Sequence, residues 1–264
     1  MIRLHKIAFR KLIHYPTFWI LLGLHLVLLS LIILGLEGFL ASIEMNGNKM
    51  STEDLRQFGL FAFPDVWHNI TYVAGFFKFI LALVIIIDVT NDISFRTNRQ
   101  HIIDGLSHLE YTLTKGIVVF WLALVSTIIL TLIGFYLGFS HTSDIASGEI
   151  LEKFAFIGGY FIELVSYLSF ALLVGLLVKR SGLAIGLLLL YSWIIEPLIG
   201  FFFPENVRVY LPMENLNSLI ELPFQEFFGE VPQDNISAMV LIIALVYIAI
   251  FNFVSYTMIS KKDL

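Results

Sequence analysis

The chain has 264 residues, 58% of them hydrophobic and 14% charged, with 25 Phe, no Cys and a formal net charge of −5. That apolar share and sparse charge exclude an ordinary soluble domain, and the lack of Cys excludes a disulfide framework and cysteine metal sites. An integral membrane protein is the class that remains.

The first segment reads "MIRLHKIAFRKLIHYP". At 100° per residue Arg3, Lys6, Arg10, Lys11 and His14 gather on one side, while Leu4, Ala8, Phe9, Leu12 and Ile13 cover most of the other, with Ile7 the misfit. This predicts an interfacial amphipathic helix over 1–16, apolar face in the acyl boundary and cations toward anionic headgroups, broken by Pro16. An ordinary cationic flank of a first span is the alternative. The following apolar run is too long for a signal peptide and no A-x-A site follows it, so an anchor that stays is expected.

Six apolar windows of about 20 residues, the length that crosses about 30 Å of hydrocarbon, follow in order. They are Thr17–Leu36, Trp67–Asp88, Gly116–Phe139, Phe154–Val178, Leu183–Phe203 and Ile236–Ile259. None alternates as a barrel strand does, so all are expected to be helices. Eleven Lys and Arg fall in the N-terminus, the 89–115 connection, the turn at Lys179 and the C-terminus, against four in the opposite loops. The positive-inside rule therefore predicts both termini in the cytoplasm.

Between the second and third windows lies "NDISFRTNRQHIIDGLSHLEYTLTKG", far longer than a tight turn requires. Ile102, Ile103, Leu106 and Leu109 recur there at helical spacing among polar residues, which predicts a short helix suited to docking on another protein, or else a solvated extension of the flanking spans. Ionisable residues at membrane depth are costly. Lys78 falls mid-way along the second window, Glu163 about ten residues into the fourth, and Glu196 with Pro197 within the fifth. Lys78 and Glu163 are expected either to neutralise one another or to line a substrate path. Pro197 removes a backbone donor, so a kink is expected beside Glu196, serving gating or a static break. His25 and His68 are expected to be packed or interfacial residues rather than metal ligands. The 204–235 segment mixes Leu216, Leu219, Ile220, Phe224, Phe227 and Phe228 with carboxylates and could dip into the outer interface.

An amphipathic N-terminal helix, six spans, and a loop carrying Thr97, Arg99, Gln100, Asp104-Gly105-Leu106-Ser107, Glu110 and Lys115, together with "WIIEPLIG" in the fifth span, resemble the ABC-2 type permeases, the membrane subunits of ABC exporters. The resemblance covers essentially the whole chain. It implies an all-α integral membrane fold of the ABC-2 (type V exporter-like) kind, a single transmembrane domain over 1–264 in the cytoplasmic membrane, and a coupling helix within 89–115. By that resemblance Arg96, Thr97, Arg99, Gln100, Asp104, Gly105, His108 and Glu110 meet an ABC ATPase subunit; His108 stands where such loops frequently carry Arg. The resemblance also implies re-entrant elements before the last span and a homodimer of permeases with two ATPases. No G-x-x-x-x-G-K-[ST] occurs, so no nucleotide site of the P-loop kind is expected in this chain: ATP and Mg belong to the partner. No catalytic residues, bound cofactor, metal or nucleic-acid partner is expected, and no H-E-x-x-H supports an intramembrane protease. A secondary transporter, or an assembly or immunity factor without an ATPase, is the competing expectation.

Overall fold

The computed structural model describes residues 2–41, 44–45, 48–49, 61–95, 97, 105–142, 148–223 and 233–261. Hydrocarbon offers no water to unpaired backbone groups, so the apolar runs satisfy their own N–H and C=O groups as helices. In chain order these are α1 (Ile2–Ile13), α2 (Pro16–Ala41), α3 (Val66–Gly75), α4 (Lys78–Ser94), α5 (His108–His141), α6 (Ala155–Val178) and α7 (Ser181–Leu190). A π turn over Tyr191–Ile195 joins α7 to α8 (Glu196–Phe201). The short α9 (Glu205–Arg208) and α10 (Pro212–Asn217) precede α11 (Ala238–Lys261). Strand among the described residues is one short antiparallel pair, β1 (Glu44–Met45) against β2 (Asn48–Lys49).

Five stretches are long and apolar enough to cross a membrane: α2, α5, α6, α7 with α8, and α11. The α3 and α4 helices, bent by 43° at Phe76 and Phe77, make a sixth if counted as one span. The chain is an all-α, multi-pass membrane protein. Two boundaries differ from the expectation in ways that matter. The second window is two helices rather than one, and α5 begins at His108, eight residues before the expected Gly116. Leu109 therefore belongs to the first turn of α5 and Leu106 to the turn just before it; Ile102 and Ile103 lie outside the described residues.

The bundle is built around α6. Of its apolar window 61% is buried, against 17% for α7 with α8 and 22% for α11, and it packs on α3, α4, α5, α7, α10 and α11. Its small residues set the packing distance: a Cβ at Gly175 would lie 2.5 Å from Val89 of α4, and one at Gly159 would lie 2.5 Å from Ile236. At the end of the bundle far from α1, Trp67 is fully buried, donates from Nε1 to the Ile150 carbonyl (2.7 Å), and is ringed by Phe63, Phe135 and Phe154 at 5.0–5.6 Å. Lys153 fastens the same end by pairing with Asp65 (2.8 Å) and Asp234 (3.4 Å). Burial pulls its pKa down, but the hydrogen bonds and charges of the two aspartates outweigh that and hold it above the ordinary lysine value.

The amphipathic N-terminus forms as a helix, but its apolar side is covered by protein. Leu4, Ala8 and Leu12 are buried, α1 packs on α5, and Phe9 meets Trp121 edge-on at 5.6 Å. Arg3, Lys6 and Arg10 remain exposed. Leu4, Ala8 and Leu12 of the expected membrane face are thus covered within the bundle, while Ile13 at its edge is 50% exposed.

Candidate functional site

Two groups of charged side chains sit inside the bundle. The first lies beneath the connection between α4 and α5. Asp88 and Asp92, one turn apart on α4, face the same way because four residues bring a helix back to one side. Lys11 of α1 donates to Asp88 Oδ1 (2.6 Å) and to Asp92 Oδ1, while Lys115 of α5 donates to Asp88 Oδ2 (2.5 Å) and Asp92 Oδ2 (2.6 Å). Tyr111 donates its hydroxyl to Asp92 Oδ2 (2.9 Å) and Thr97 donates to Asp92 Oδ1 (2.8 Å). The formal charges cancel, two against two. The carboxylates and Lys115 are almost completely buried, Lys11 is 37% exposed, and a cavity of only about 30 Å³ remains among them. Three helices are thereby fastened at one point.

Of the residues that the resemblance places at an ATPase contact, Arg96, Arg99, Gln100 and Asp104 lie outside the described residues. The other four have local partners or conformations of their own. Thr97 bonds to Asp92, and Gly105 adopts φ +91°, a backbone region that L side chains rarely enter. His108 is the first residue of α5. Glu110 completes a capping box: its N–H donates to Ser107 Oγ (3.1 Å) and its Oε2 accepts from the Ser107 N–H (2.9 Å). Leu106 and Tyr111 flank this box at the staple positions, and both are buried against the four-charge cluster. Asp104 to Glu110 thus carries a helix-start signal, S-x-x-E after a glycine turn, as well as whatever else it does.

The second group lies half-way along the bent span. Where α3 ends at Gly75 and α4 begins at Lys78, the helix is interrupted, and Lys78 is the first residue of the new helix. Its Nζ donates to Glu163 Oε1 of α6 (2.6 Å) and to Asn217 Oδ1 at the end of α10 (3.1 Å), and stands 5.3 Å from the centre of the Tyr167 ring. The sequence expectation of a Lys78 and Glu163 pair is therefore met in geometry. The pair forms part of the wall of a cavity of about 450 Å³, lined also by Tyr72, Phe76, Phe79, Trp193 and Ile220. Lys78 and Glu163 thus neutralise one another and also stand on a cavity wall.

Glu196 is buried but is not in that cavity's lining. Its Oε1 accepts from the Met213 (2.5 Å) and Glu214 (2.9 Å) N–H groups, the free donors at the start of α10. Its position is explained by that cap. Pro197 follows an irregularity in the helix. The chain widens into the π turn just before it, with the Glu196 N–H bonded to the Tyr191 carbonyl, five residues back, so the backbone donor that proline lacks is accommodated. His25 is buried in a hydrogen-bonded chain with Ser126 (2.8 Å) and through it Tyr160 (2.9 Å). His68 stacks flat on Phe156 (ring centres 4.1 Å) and bonds to the Glu221 carbonyl (2.9 Å).

Sequence reading missed Asp88 and Asp92, and took Lys11 as a headgroup-facing cation and Lys115 as an orientation charge in the loop that carries the resemblance. Two aspartates spaced i, i+4 at the end of an apolar run need cations if packing buries them, but the sequence does not single out Lys11 and Lys115 over Lys78, Arg96 or Arg99. Asn217 was missed because nothing in the 204–235 segment shows that it folds back to mid-span. The profile of a family described as "Protein of unknown function (DUF2705)" matches residues 50–264, and the chain belongs to that family. No curated protein matches it.

Proposed function

We propose that this member of the DUF2705 family is the permease subunit of an ATP-driven exporter of the ABC-2 kind, with both termini in the cytoplasm and its energy supplied by a separate ATPase that docks on the 89–115 connection. One observation carries the reading. A single helix, α4, bears at one end the aspartates that fasten the root of that connection and at the other end Lys78, on the wall of the mid-span cavity. Lys78 and Asp92 are fourteen residues apart, roughly 21 Å along a rigid helix at 1.5 Å per residue. A push on the connection is delivered to the cavity with no flexible joint between.

In mechanism, ATP-driven closure of the partner moves the start of α5 and the end of α4 together, because Lys115, Asp92 and Tyr111 hold them as one body. The break at Phe76 and Phe77 and the π turn at Tyr191–Ile195, both beside the cavity, are where the spans can bend in response. Two copies of the chain would form the transport unit. The test is to purify the chain from its native membrane in mild detergent and identify co-purifying proteins by mass spectrometry. A P-loop ATPase at one-to-one stoichiometry, lost on Arg99→Glu, is the expected result. Purification of the chain alone overturns the reading and favours ion-coupled secondary transport, for which the mid-depth Lys78 and Glu163 pair is the motivating feature.

A further inference from the structure

We infer that the mid-span cavity is a binding site for a small amphiphile with a zwitterionic head, an ammonium and an anionic group held a few atoms apart on an apolar tail. As the cargo of a permease this ligand rests on the transport reading above; as a ligand of the site it does not.

The charges on the wall set the class of ligand. The walls hold one cation, Lys78, and one anion, Glu163, joined at 2.6 Å. A singly charged ligand entering here would draw one of them away and leave the other buried without a counterion, which is costly in a low-dielectric interior. An uncharged ligand would leave the pair's field unused. A zwitterion fits head to tail: its anion lies against Lys78 and its ammonium against Glu163, so that four charges cancel and none is stranded. The loop-end cluster shows that this fold stabilises the same arrangement with its own side chains, two lysines alternating with two aspartates.

The remaining wall agrees. Tyr167 already stands 5.3 Å from the Lys78 ammonium, and Trp193 and Phe79 face one another edge-on at 6.4 Å across the lining, giving a cationic head aromatic faces to lie against. Gly75 keeps the Glu163 carboxylate accessible at the helix break, since a Cβ there would sit 3.3 Å from its Oε1. Asn217 holds Lys78 from the third side. A volume of about 450 Å³ accommodates a head and a short stretch of tail, within the ordinary range of ligand pockets. Phe76, more than half exposed, lies at the mouth, where a tail could pass into lipid.

The test uses the full chain in uncharged maltoside micelles, with no ATPase present, and follows Trp193 fluorescence; a Trp193→Phe variant identifies its signal. Probes of one chain length are compared: hexylphosphocholine, a hexyl betaine, hexyltrimethylammonium, hexyl phosphate and hexanol. The two zwitterions should bind at least about tenfold tighter than the other three, and the ratio between them tells a phosphate head from a carboxylate head. Glu163→Gln should move the preference to the anion and Lys78→Met to the cation, a switch that a purely structural pair would not produce. The charge-exchanged chain, Lys78→Glu with Glu163→Lys, should keep zwitterion binding. If either neutralised chain does not fold, Trp193→Leu serves in its place, monitored by calorimetry, and should weaken the zwitterions several-fold while leaving hexanol unchanged. Equal binding of all five probes to the unaltered chain, or a preference that none of these variants moves, overturns the inference. Because the ATPase is absent, a positive result stands even if no ATPase partner is found, and a negative one leaves the coupling reading to its own test.

Discussion

The two charged groups inside this bundle use the same chemistry to opposite ends. Beneath the α4 to α5 connection, two lysines and two aspartates alternate around a space of about 30 Å³, and Tyr111 and Thr97 add further donors to Asp92. At mid-span, one lysine and one glutamate meet beside about 450 Å³ of open volume, with a single amide, Asn217, in support. A closed, saturated cluster fixes helices to one another; an open pair on a cavity wall leaves charge for something else to use. The difference is one of partner count and free volume, not of residue type.

The fastening depends most on Asp92, which accepts from Lys11, Lys115, Tyr111 and Thr97. Asp92→Asn leaves two cations, one of them buried, over one carboxylate and should cost about 3–5 kcal/mol, the usual penalty for breaking a buried pair. Thermal unfolding of the chain in detergent measures it. A change below about 1 kcal/mol would mean that the cluster is not a fastening.

Within the cluster the two lysines are not equivalent. Lys115 is 7% exposed and Lys11 is 37% exposed, so Lys115→Met should approach the Asp92→Asn loss, whereas Lys11→Met should cost about 1 kcal/mol or less because water screens and replaces part of its interaction. A double-mutant cycle between them should show strong coupling through the shared aspartates. Additivity would indicate that α1 is held by Leu4, Ala8 and Leu12 alone.

These contacts show what the sequence made legible. Long apolar runs mark the spans because lipid forces helix on them, and a lysine and a glutamate stranded at similar depth must meet to avoid the cost of burial, so both were readable from one chain. Asp88 and Asp92 were not, because a carboxylate at the end of a span is indistinguishable by position from one already in headgroups; only packing shows that α1 and α5 close over it. The break at Phe76 and Phe77 has no proline to announce it. The π turn before Pro197 is a local widening of the helix that the proline alone does not specify. For 104–110, the resemblance drew attention to a partner contact, while the capping box, readable as S-x-x-E, went unremarked. Both uses can coexist, since Ser107 and Glu110 bond through one edge of the first turn while Leu109 faces outward, 52% exposed.

That overlap is separable. Ser107→Ala should cost about 1 kcal/mol through the lost cap, read by unfolding. Glu110→Gln keeps an acceptor for the Ser107 N–H and so preserves the box, yet removes the charge. If the proposed ATPase contact needs that charge, partner binding falls with stability unchanged; if Glu110 serves only the cap, both are retained.

The smallest change in stability tests the mid-span pair. Gly75→Ala adds one methyl 3.3 Å from Glu163 Oε1, a contact tighter than most, while favouring the helix that ends there by a few tenths of a kcal/mol. Net stability should move by less than about 1 kcal/mol, because the Glu163 carboxylate has open cavity beside it and can give way. The affinity for a zwitterionic head should nonetheless fall several-fold, since the same shift takes Glu163 from the place where the ligand's ammonium must meet it. The equivalent crowding at the loop-end cluster has no open volume to relax into, so there any displacement of a carboxylate must appear as lost stability. A Gly75→Ala chain that loses stability and keeps its affinity would reverse the assignment, making the mid-span pair the fastening.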